Sequence, residues 1–257
     1  MNKVQKDSFS PDEKTQQQYY DQIASEYNRH HLSPRSLEYR RWVYEHGISG
    51  IELRGKKVLD ALCGGGEASY YFSANGCTVS AVDISPEQCN IYHERFPQNN
   101  IRNESIFKTS FANEEFDIVV TDSLHHTQPK LPDALHEILR VLKPGGLLIA
   151  WEPAARSPVN LLRRLWYRLD PKFFQSNEQS IRVEEIRNVS VGKLNEVGIY
   201  YGGSLAYLFV SQALILRIPT DIVNFYASFF MQFEKIFEKI PGGRIFPFWV
   251  LAIFSKK

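Results

Sequence analysis

The sequence predicts a doubly wound α/β fold, in which helices cover both faces of a parallel sheet. From Lys57 onward, short apolar runs alternate with helical periods, in the order KVLDAL, EASYYFSANG, CTVSAVDI, PEQCNIYHERF, FDIVVTD, LPDALHEILRVL and GGLLIAWEP. Such alternation is typical of a parallel sheet with crossover helices. A length of 257 residues, with 43% hydrophobic and 23% charged residues, suits one globular domain over residues 1–257.

The N-terminal part predicts a helical cap over residues 14–50. After a polar start, the segment from Lys14 to Tyr27 has the period of a helix. Its apolar or aromatic positions are Tyr19, Tyr20, Ile23 and Tyr27. We expect this helix to cover an opening in the core.

Turn residues set the boundaries of the core, which we place at residues 56–153. Gly76 is expected to end one helix, and Ser85 followed by Pro86 to begin the next. The run Lys143-Pro144-Gly145-Gly146 predicts a sharp turn into a buried strand.

Residues 154–257 are expected to form insertions on the acceptor side and the closing strands. We predict helices over Asn160 to Leu169, Val183 to Val197 and Thr220 to Ile240, and closing strands in Tyr200 to Leu216 and Phe246 to Ser255. The third helix carries Phe225, Phe229, Phe233 and Phe237 on one face, where core packing is favoured over a lipid groove.

Charge and cysteine content exclude several classes of protein. The net charge of +1 predicts no nucleic-acid partner, although the chain from Ala155 onward has 14 Lys/Arg against 8 Asp/Glu, and the part before it 16 against 21. Cys63, Cys77 and Cys89 have neither paired nor metal-ligand spacing, so no disulfide framework and no metal site are expected. With no secretory leader and no spanning run of about 18 apolar residues, we expect a soluble, cytoplasmic protein.

The strongest chemical motif is VLDALCGGGEASYYFSANG, a strand that enters a Gly-rich turn and a helix. Glycines let the backbone approach a ligand, and a helix N-terminus offers free N–H groups to an anion. Asp83 ends the next strand 23 positions after Asp60, where a carboxylate can accept hydrogen bonds from both hydroxyls of a ribose. The loop and Asp83 together predict an adenosine-type cofactor site.

In four blocks the chain resembles the class I S-adenosylmethionine (SAM)-dependent methyltransferases, particularly the small-molecule group that includes quinone-ring and sterol methyltransferases. The blocks are YYDQIASEYN, VLDALCGGG, VSAVDIS, and FDIVVTDSLHH followed by VLKPGGLLIAWEP, within Tyr19 to Pro153. The resemblance implies SAM as cofactor and a seven-stranded, mostly parallel, Rossmann-like sheet whose last strand is antiparallel. It also implies an N-terminal helix and C-terminal helical insertions around that sheet.

The resemblance further implies a set of cofactor contacts. Asp60, Gly64 and Gly66 would lie along the methionine part of SAM, with Thr121 and Tyr27 near its end. Asp83 would hold the ribose, Ile84 the adenine face, and Ser105 the adenine amino group, with Glu104 beside it. Two positions depart from the family: Leu62 stands where the loop usually has its first glycine, and Ser105 replaces the usual Asp.

A general base is optional, because the methyl of a sulfonium needs mainly an aligned acceptor and the exclusion of water. His125 or His126, after the FDIVV strand, could take the proton of a hydroxyl acceptor near neutral pH. A structural role for this pair remains an alternative, as do roles of Asp122 and Glu152 as orienting groups. Cys63 is interpreted as a small packing residue.

The expected function is transfer of a methyl group to a small or lipid-like acceptor, at O, N or C. Arg163, Arg164 and Arg168 in the helix after Pro153 fit three alternatives: a flap over an anionic acceptor, a helix on anionic lipid, or a solvated surface. Peripheral membrane action on a lipid-linked, quinone or polyprenyl acceptor is therefore one alternative. A nicotinamide-dependent oxidoreductase and a non-catalytic SAM-binding protein are the others. Oligomeric state is left open.

Overall fold

The computed structural model describes residues 9–155, 157, 160–161, 165, 180–240 and 246–257. Its strands are β1 Lys57–Ala61, β2 Thr78–Asp83, β3 Asn100–Asn103, β4 Phe116–Thr121, β5 Leu142–Pro153, β6 Leu194–Gly202 and β7 Trp249–Lys256. Its α-helices are α1 Pro11–His31, α2 Pro34–Gly47, α3 Glu67–Ala74, α4 Pro86–Arg95, α5 Leu131–Val141, α6 Val183–Val189 and α7 Thr220–Phe237. A 3₁₀ turn spans Leu124–Thr127 and a π-helical turn spans Tyr207–Ser211.

The seven strands form one sheet in the order β3-β2-β1-β4-β5-β7-β6. The first five strands pair in parallel, and β7 is antiparallel to both β5 and β6. This confirms the expected doubly wound, mostly parallel sheet with an antiparallel last strand. Because the chain moves outward from β1 to β3 and returns to β4, a crevice opens between the carboxyl ends of β1 and β4, the usual place for a ligand in such sheets.

Alternate side chains of each strand supply two cores, one on each face of the sheet. Val58 packs with α2, α3 and α7, whereas its neighbour Leu59 packs with α5 and α6. Both residues are fully buried. A strand that is buried on both faces has an almost continuous run of apolar residues. The run KVLDAL therefore predicted the position of β1.

Several helix boundaries of the core agree with the capping and turn residues of the sequence. Ser85 caps α4, its Oγ accepting the Gln88 N–H at 3.1 Å, and Pro86 occupies the first turn. Helix α1 begins at Pro11, three residues before the expected Lys14, because Ser10 and Glu13 form a capping box at its N-terminus. Within the described residues, no helix has both the length and the apolar character needed to cross a bilayer.

The C-terminal part differs from the expected elements. The helix expected over Val183 to Val197 ends at Val189, and β6 then pairs with β7. The apolar run from Tyr200 to Leu216 contributes only its first residues to β6 and continues as the π-helical turn. A short apolar run does not distinguish strand from buried helix, so the partner strand decided both boundaries. Most of the helix expected over Asn160 to Leu169, including Arg163, Arg164 and Arg168, lies outside the described residues.

Helix α7 corrects a further expectation. Core packing of its phenylalanines is wrong for three of the four, because Phe225, Phe229 and Phe233 are exposed to 92%, 68% and 41%. The side of α7 that faces the protein is formed instead by Val223, Ala227 and Met231. The four-residue spacing identified one face of the helix but could not tell which way that face points.

A buried carboxylate anchors α7 to α2 and to the segment that follows β6. Glu234 accepts hydrogen bonds from the hydroxyls of Tyr39 and Ser204, at 2.6 and 2.9 Å, and from the backbone N–H groups of Ser204, Ala206 and Tyr207. Burial raises the pKa of Glu234, while these donors lower it. The carboxylate thereby joins α2, α7 and the segment that leads into the π-helical turn.

Removing this carboxylate should destabilise the fold. Glu234→Ala leaves several buried donors without an acceptor, and we expect a loss of about 3–5 kcal/mol in the free energy of unfolding. Urea titration followed by circular dichroism measures it. Glu184→Ala, which removes a partly exposed carboxylate of α6 from its ion pair with Arg187, is the matched control and should change stability by less than about 1 kcal/mol. Equal midpoints for the two variants would contradict the anchoring role.

Candidate functional site

One cavity of about 640 Å³ opens at the carboxyl ends of β1 and β4. Its walls come from α1, α2, the Gly-rich loop, the ends of β2, β4 and β5, and the segment before α7. Deep clefts of this size are typical of small-molecule and cofactor sites. Polar groups lie toward the Gly-rich loop, and apolar groups lie toward the C-terminal segment.

The Gly-rich loop is held open by its backbone conformation. Gly64 has φ +52°, and its N–H donates to Asp83 Oδ2 at 2.9 Å. Leu62 has φ +61° and lines the cavity. The departure at Leu62 therefore keeps the left-handed backbone that glycine adopts freely, at a cost of about 1–2 kcal/mol. The loop geometry persists without the family's first glycine.

Two buried carboxylates flank this loop. Asp60 Oδ2 accepts the N–H and the hydroxyl of Ser69, at 2.9 and 2.7 Å, and so fixes the first turn of α3. Asp83 accepts the N–H groups of Gly64 and Ser85, each at 2.9 Å. Burial raises the pKa of Asp60 to about 7 and that of Asp83 to about 6. Both side chains line the cavity and keep lone pairs for a ligand.

The other expected cofactor residues fall into two groups. Tyr27 and Ile84 line the cavity together with Asp60, Gly64 and Asp83. Among the described residues, the cavity wall does not include Gly66, Ser105 or Thr121.

Each residue of the second group has a structural contact. A Cβ on Gly66 would lie 2.5 Å from the ring of Phe96, so glycine is needed there for packing. The Ser105 hydroxyl donates to Glu13 of α1 at 2.5 Å, and the fully buried Thr121 hydroxyl accepts the Ser123 N–H at 3.3 Å. Glu104 accepts from Ser110 at 2.7 and 2.5 Å, within its own loop.

Two histidines lie side by side at the end of β4. His125 Nδ1 lies 2.7 Å from Glu152 Oε2, and the Glu152 carboxylate also accepts the N–H groups of Leu124 and His125. Burial raises the pKa of Glu152 to about 8. The carboxyl group of Glu152 fixes the orientation of the His125 ring through this hydrogen bond.

His126 has a different environment. The Tyr20 hydroxyl of α1 lies 3.0 Å from its Nε2, and Gln16 donates to its backbone carbonyl at 3.1 Å. Burial, followed by the nearby His125, lowers the pKa of His126 well below its usual value. The imidazole is therefore neutral at pH 7 and helps to dock α1 over the cavity.

The structure adds polar residues that the sequence did not single out. Arg40 of α2 lines the cavity and forms a buried ion pair with Asp122. Its guanidinium carbon lies 4.7 Å from the centre of the Trp151 ring. The Tyr44 hydroxyl donates to Asp122 at 2.6 Å, so Asp122 acts as an orienting group. Glu67, whose pKa is raised by burial, lies in the cavity wall as well. Arg40 and Arg41 are adjacent in a polar stretch, and no signal in the pattern separates the buried one from the exposed one.

The remaining wall of the cavity is apolar and aromatic. It is formed by Trp151, Tyr207, Leu208, Leu214, Ile215, Leu216 and Phe248. Most of these residues follow β6 or precede α7, in the part of the chain where recognition segments vary on a fixed scaffold. The cavity thus joins a polar half at the loop to an apolar half at the C-terminal segment.

Comparison with known proteins agrees with this geometry. Residues 59–150 match the family model described as a methyltransferase domain. Residues 59–150 therefore correspond to a methyltransferase domain, in agreement with the resemblance that the sequence indicated. SAM is the cofactor of this domain.

The curated relatives match only part of their own lengths. The malonyl-[acyl-carrier protein] O-methyltransferase of Enterobacter lignolyticus is 33% identical over 119 residues, which are 46% of this chain and 47% of the relative. The phthiotriol/phenolphthiotriol dimycocerosates methyltransferase of Mycobacterium leprae is 30% identical over 132 residues, or 49% and 45%. The chain therefore spans about half the length of the curated relatives that it matches.

Solved structures share the fold of this methyltransferase domain over most of the chain. Geranyl diphosphate C-methyltransferase from Streptomyces coelicolor A3(2), in complex with S-adenosyl-L-homocysteine, has a TM-score of 0.57 at 16% identity and covers 86% of this chain and 79% of its own. The [4+2]-cyclase SpnF has a TM-score of 0.64 at 18% identity, with 96% and 97% coverage. A cyclase among these neighbours illustrates that the fold alone does not define the reaction.

Proposed function

We propose that this protein transfers the methyl group of SAM to a small or lipid-like acceptor bound in the apolar half of the cavity. The observation that carries the proposal is that one cavity contains both the Gly-rich loop with its carboxylates and the apolar wall of the C-terminal segment. Cofactor and acceptor can then meet without crossing solvent. Residues 56–153 would hold the cofactor, residues 14–50 would cap it, and residues 154–257 would shape the acceptor side.

The cofactor contacts follow from the side chains that line the polar half. Asp83 would accept hydrogen bonds from the ribose hydroxyls, and Ile84 would pack on the adenine. Asp60, Gly64 and Tyr27 would lie along the methionine part. Gly66, Ser105 and Thr121 would support the site indirectly, because their contacts stabilise the loop, α1 and the end of β4.

Methyl transfer from SAM requires the protein mainly to align the acceptor and to exclude water. SAM supplies an electrophilic methyl on a sulfonium, which an acceptor atom attacks in line as the carbon–sulfur bond breaks. For a hydroxyl acceptor, we assign His125 as the base that takes the proton, with Glu152 holding the ring. His126 is assigned a positioning role through Tyr20.

The acceptor class is inferred from the cavity wall. Aromatic and aliphatic side chains favour an acceptor with a ring or an alkyl chain, and Asp122 compensates the charge of Arg40. The malonyl-carrier and phthiotriol substrates in the names of the relatives are consistent with acceptors of this class. A nicotinamide cofactor has no such support.

Calorimetry with SAM, S-adenosylhomocysteine and NADH tests the cofactor assignment. We expect saturable binding of the first two and no binding of NADH. A transfer assay with radiolabelled SAM and paired phenols, with and without an alkyl chain, then tests the acceptor class, where the alkylated phenols should accept label faster. Binding of NADH alone, or SAM binding without turnover on any hydroxyl, amine or carbon acceptor, would contradict the proposal.

The affinity for S-adenosylhomocysteine should depend on pH through Asp83. Its folded-state pKa of about 6 means that the carboxylate gains a proton as pH falls from 7 to 5, and a neutral carboxyl is the weaker acceptor. We expect protonation of Asp83 to weaken binding by up to about tenfold per pH unit below 6, separate from the change near pH 7 that Asp60, with a pKa of about 7, contributes. Calorimetric titration at each pH measures it. In Asp83→Asn, which has no proton to gain, the part of the slope below pH 6 should disappear, and an unchanged slope there would assign the effect to another group.

A further inference from the structure

Helix α7 exposes one apolar face. Its members within the helix are Ile222, Phe225, Phe229, Phe233 and Ile236, and their exposure ranges from 41% to 92%. The three phenylalanines alone expose about 400 Å² of apolar surface, taking roughly 200 Å² for a whole side chain. Patches of that size on a soluble protein are often interaction sites.

The spacing along this apolar face is symmetric about Phe229. From Ile222 to Ile236 the steps are three, four, four and three residues, so the order Ile, Phe, Phe, Phe, Ile is the same in both directions. In an antiparallel pair of α7 helices that crosses at Phe229, Ile222 of each copy would face Ile236 of the other. Phe225 would face Phe233 in the same way. Such a face is complementary to its own copy, as a two-fold symmetric interface requires.

The period of the apolar face suits a helical partner. Its four steps cover 14 positions, an average of 3.5 residues per step. This is the period that keeps apolar side chains directed at a second helix when two helices coil around each other. A partner helix of the same period is therefore the surface that matches the face along its whole length.

The charges beside the apolar face are also placed for an antiparallel pair. The exposed residues Asp221 and Lys239 lie eight residues before Phe229 and ten residues after it. The helical turn continues to Lys239, whose N–H donates to the Ile236 carbonyl at 3.1 Å. With 3.6 residues per turn, both charges lie about 80° to the same side of Phe229. Two-fold symmetry would bring Asp221 of each copy to within about 3 Å, along the helix axis, of Lys239 of the other copy.

A parallel pair would lack this match. Asp221 would then face Asp221, Lys239 would face Lys239, and the two helix dipoles would repel each other. Residues 217–240 carry three basic and three acidic side chains, so no net charge favours an anionic or a cationic partner. A second copy of the chain in the antiparallel direction is the partner that satisfies both the spacing and the charges.

The area is sufficient for a specific interface. The exposed fractions correspond to about 500 Å² of apolar side chain in each copy, so a pair would bury about 1,000 Å², the lower limit for such interfaces. We propose that α7 joins two copies of this chain in an antiparallel, two-fold symmetric dimer centred on Phe229.

The opposite side of α7 separates this interface from the cavity. Phe230 stacks on Phe209 of the π-helical turn with ring centres 5.1 Å apart. Tyr207 and Leu208 of the same turn line the cavity. The second copy would therefore lie behind the apolar wall of the cavity, and the dimer does not rest on the proposed methyl transfer.

Sedimentation velocity over a concentration series tests the dimer. We expect a monomer–dimer equilibrium, in which Phe229→Gln removes two rings that meet at the symmetry axis. The dissociation constant should rise by about 100-fold, or about tenfold for each ring. The matched control Val191→Gln changes an apolar residue before β6 that is 75% exposed, and should alter the constant less than twofold. A monomer at every concentration, or a dimer that Phe229→Gln leaves unchanged, would overturn the proposal.

Exchange of charges tests the antiparallel direction. Asp221→Lys and Lys239→Asp each place like charges at both ends of the interface, and each variant alone should dimerise about tenfold more weakly. An equimolar mixture of the two variants should recover the constant of the wild type, because opposite charges then meet at both ends. A mixture as weak as the single variants would rule out the antiparallel pairing.

Two further measurements complete the test. A monomer that co-sediments with phosphatidylcholine–phosphatidylglycerol vesicles, and no longer does so as Phe229→Gln, would assign the face to a membrane and overturn the dimer. Calorimetry with S-adenosylhomocysteine on Phe229→Gln should give unchanged affinity. A failure of dimerisation therefore remains distinguishable from a failure of the proposed methyl transfer.

Discussion

Asp83→Ala should weaken the binding of S-adenosylhomocysteine by about 100-fold or more. A carboxylate that accepts two ribose hydroxyls contributes about 1.5–3 kcal/mol for each hydrogen bond to a charged group, and 1.4 kcal/mol corresponds to a factor of ten. The same oxygens hold the N–H groups of Gly64 and Ser85 at 2.9 Å. The substitution therefore removes a ligand contact and loosens the loop that carries it.

Calorimetry separates these two effects when it is combined with a conservative variant. Asp83→Asn keeps one acceptor oxygen, so its affinity should lie between those of the wild type and Asp83→Ala. Thermal unfolding shows whether the loop change spreads through the fold. Asp133→Ala, an exposed change in the first turn of α5, should leave affinity unaltered. Unchanged affinity in Asp83→Ala would remove Asp83 from the ribose site.

His125→Ala should lower turnover of a hydroxyl acceptor by about 10²–10⁴, the usual contribution of a general base. His125 is the candidate because Glu152 fixes its ring at 2.7 Å and both residues line the cavity. His126→Ala should have a smaller effect, about tenfold, because its ring positions α1 through Tyr20. The affinity for S-adenosylhomocysteine should be equal in both variants and the wild type.

Steady-state rates over pH test this assignment. The wild type should gain rate with rising pH as the base loses its proton, and His125→Ala should lose that dependence. His136→Ala, on the exposed side of α5, controls for the removal of an imidazole and should keep the full rate. Equal turnover in His125→Ala across the pH range would mean that alignment of the acceptor alone accounts for catalysis.

The core of this fold could be predicted because its signals are local. Gly76 marked the end of one helix, Pro86 marked the start of the next, and apolar runs such as VLDAL marked strands that are buried on both faces. Ser85 and Pro86 specified the start of α4 through their own backbone chemistry. These features act within a few residues, so no knowledge of distant contacts was needed.

The C-terminal elements depended on distant contacts instead. The segment Leu194–Gly202 becomes a strand because β7 offers it a free edge. The apolar run after it turns into the π-helical turn because Glu234, about 30 residues later, accepts the N–H groups of Ala206 and Tyr207. The residue pattern of these segments gives no information about β7 or Glu234, which lie far away in the chain.

The residues of the candidate site also divide into those that the sequence predicted and those that only the structure identified. The sequence by itself determined the Gly-rich loop, Asp60, Asp83 and the histidine pair, because their spacing relative to the strands places them at one edge of a parallel sheet. Only the tertiary structure selected Arg40 over Arg41, paired His125 with Glu152, and turned Phe225 toward solvent. The physical reason is that spacing along a helix or strand specifies which side chains share a face, whereas packing against residues far away in the chain decides what that face meets.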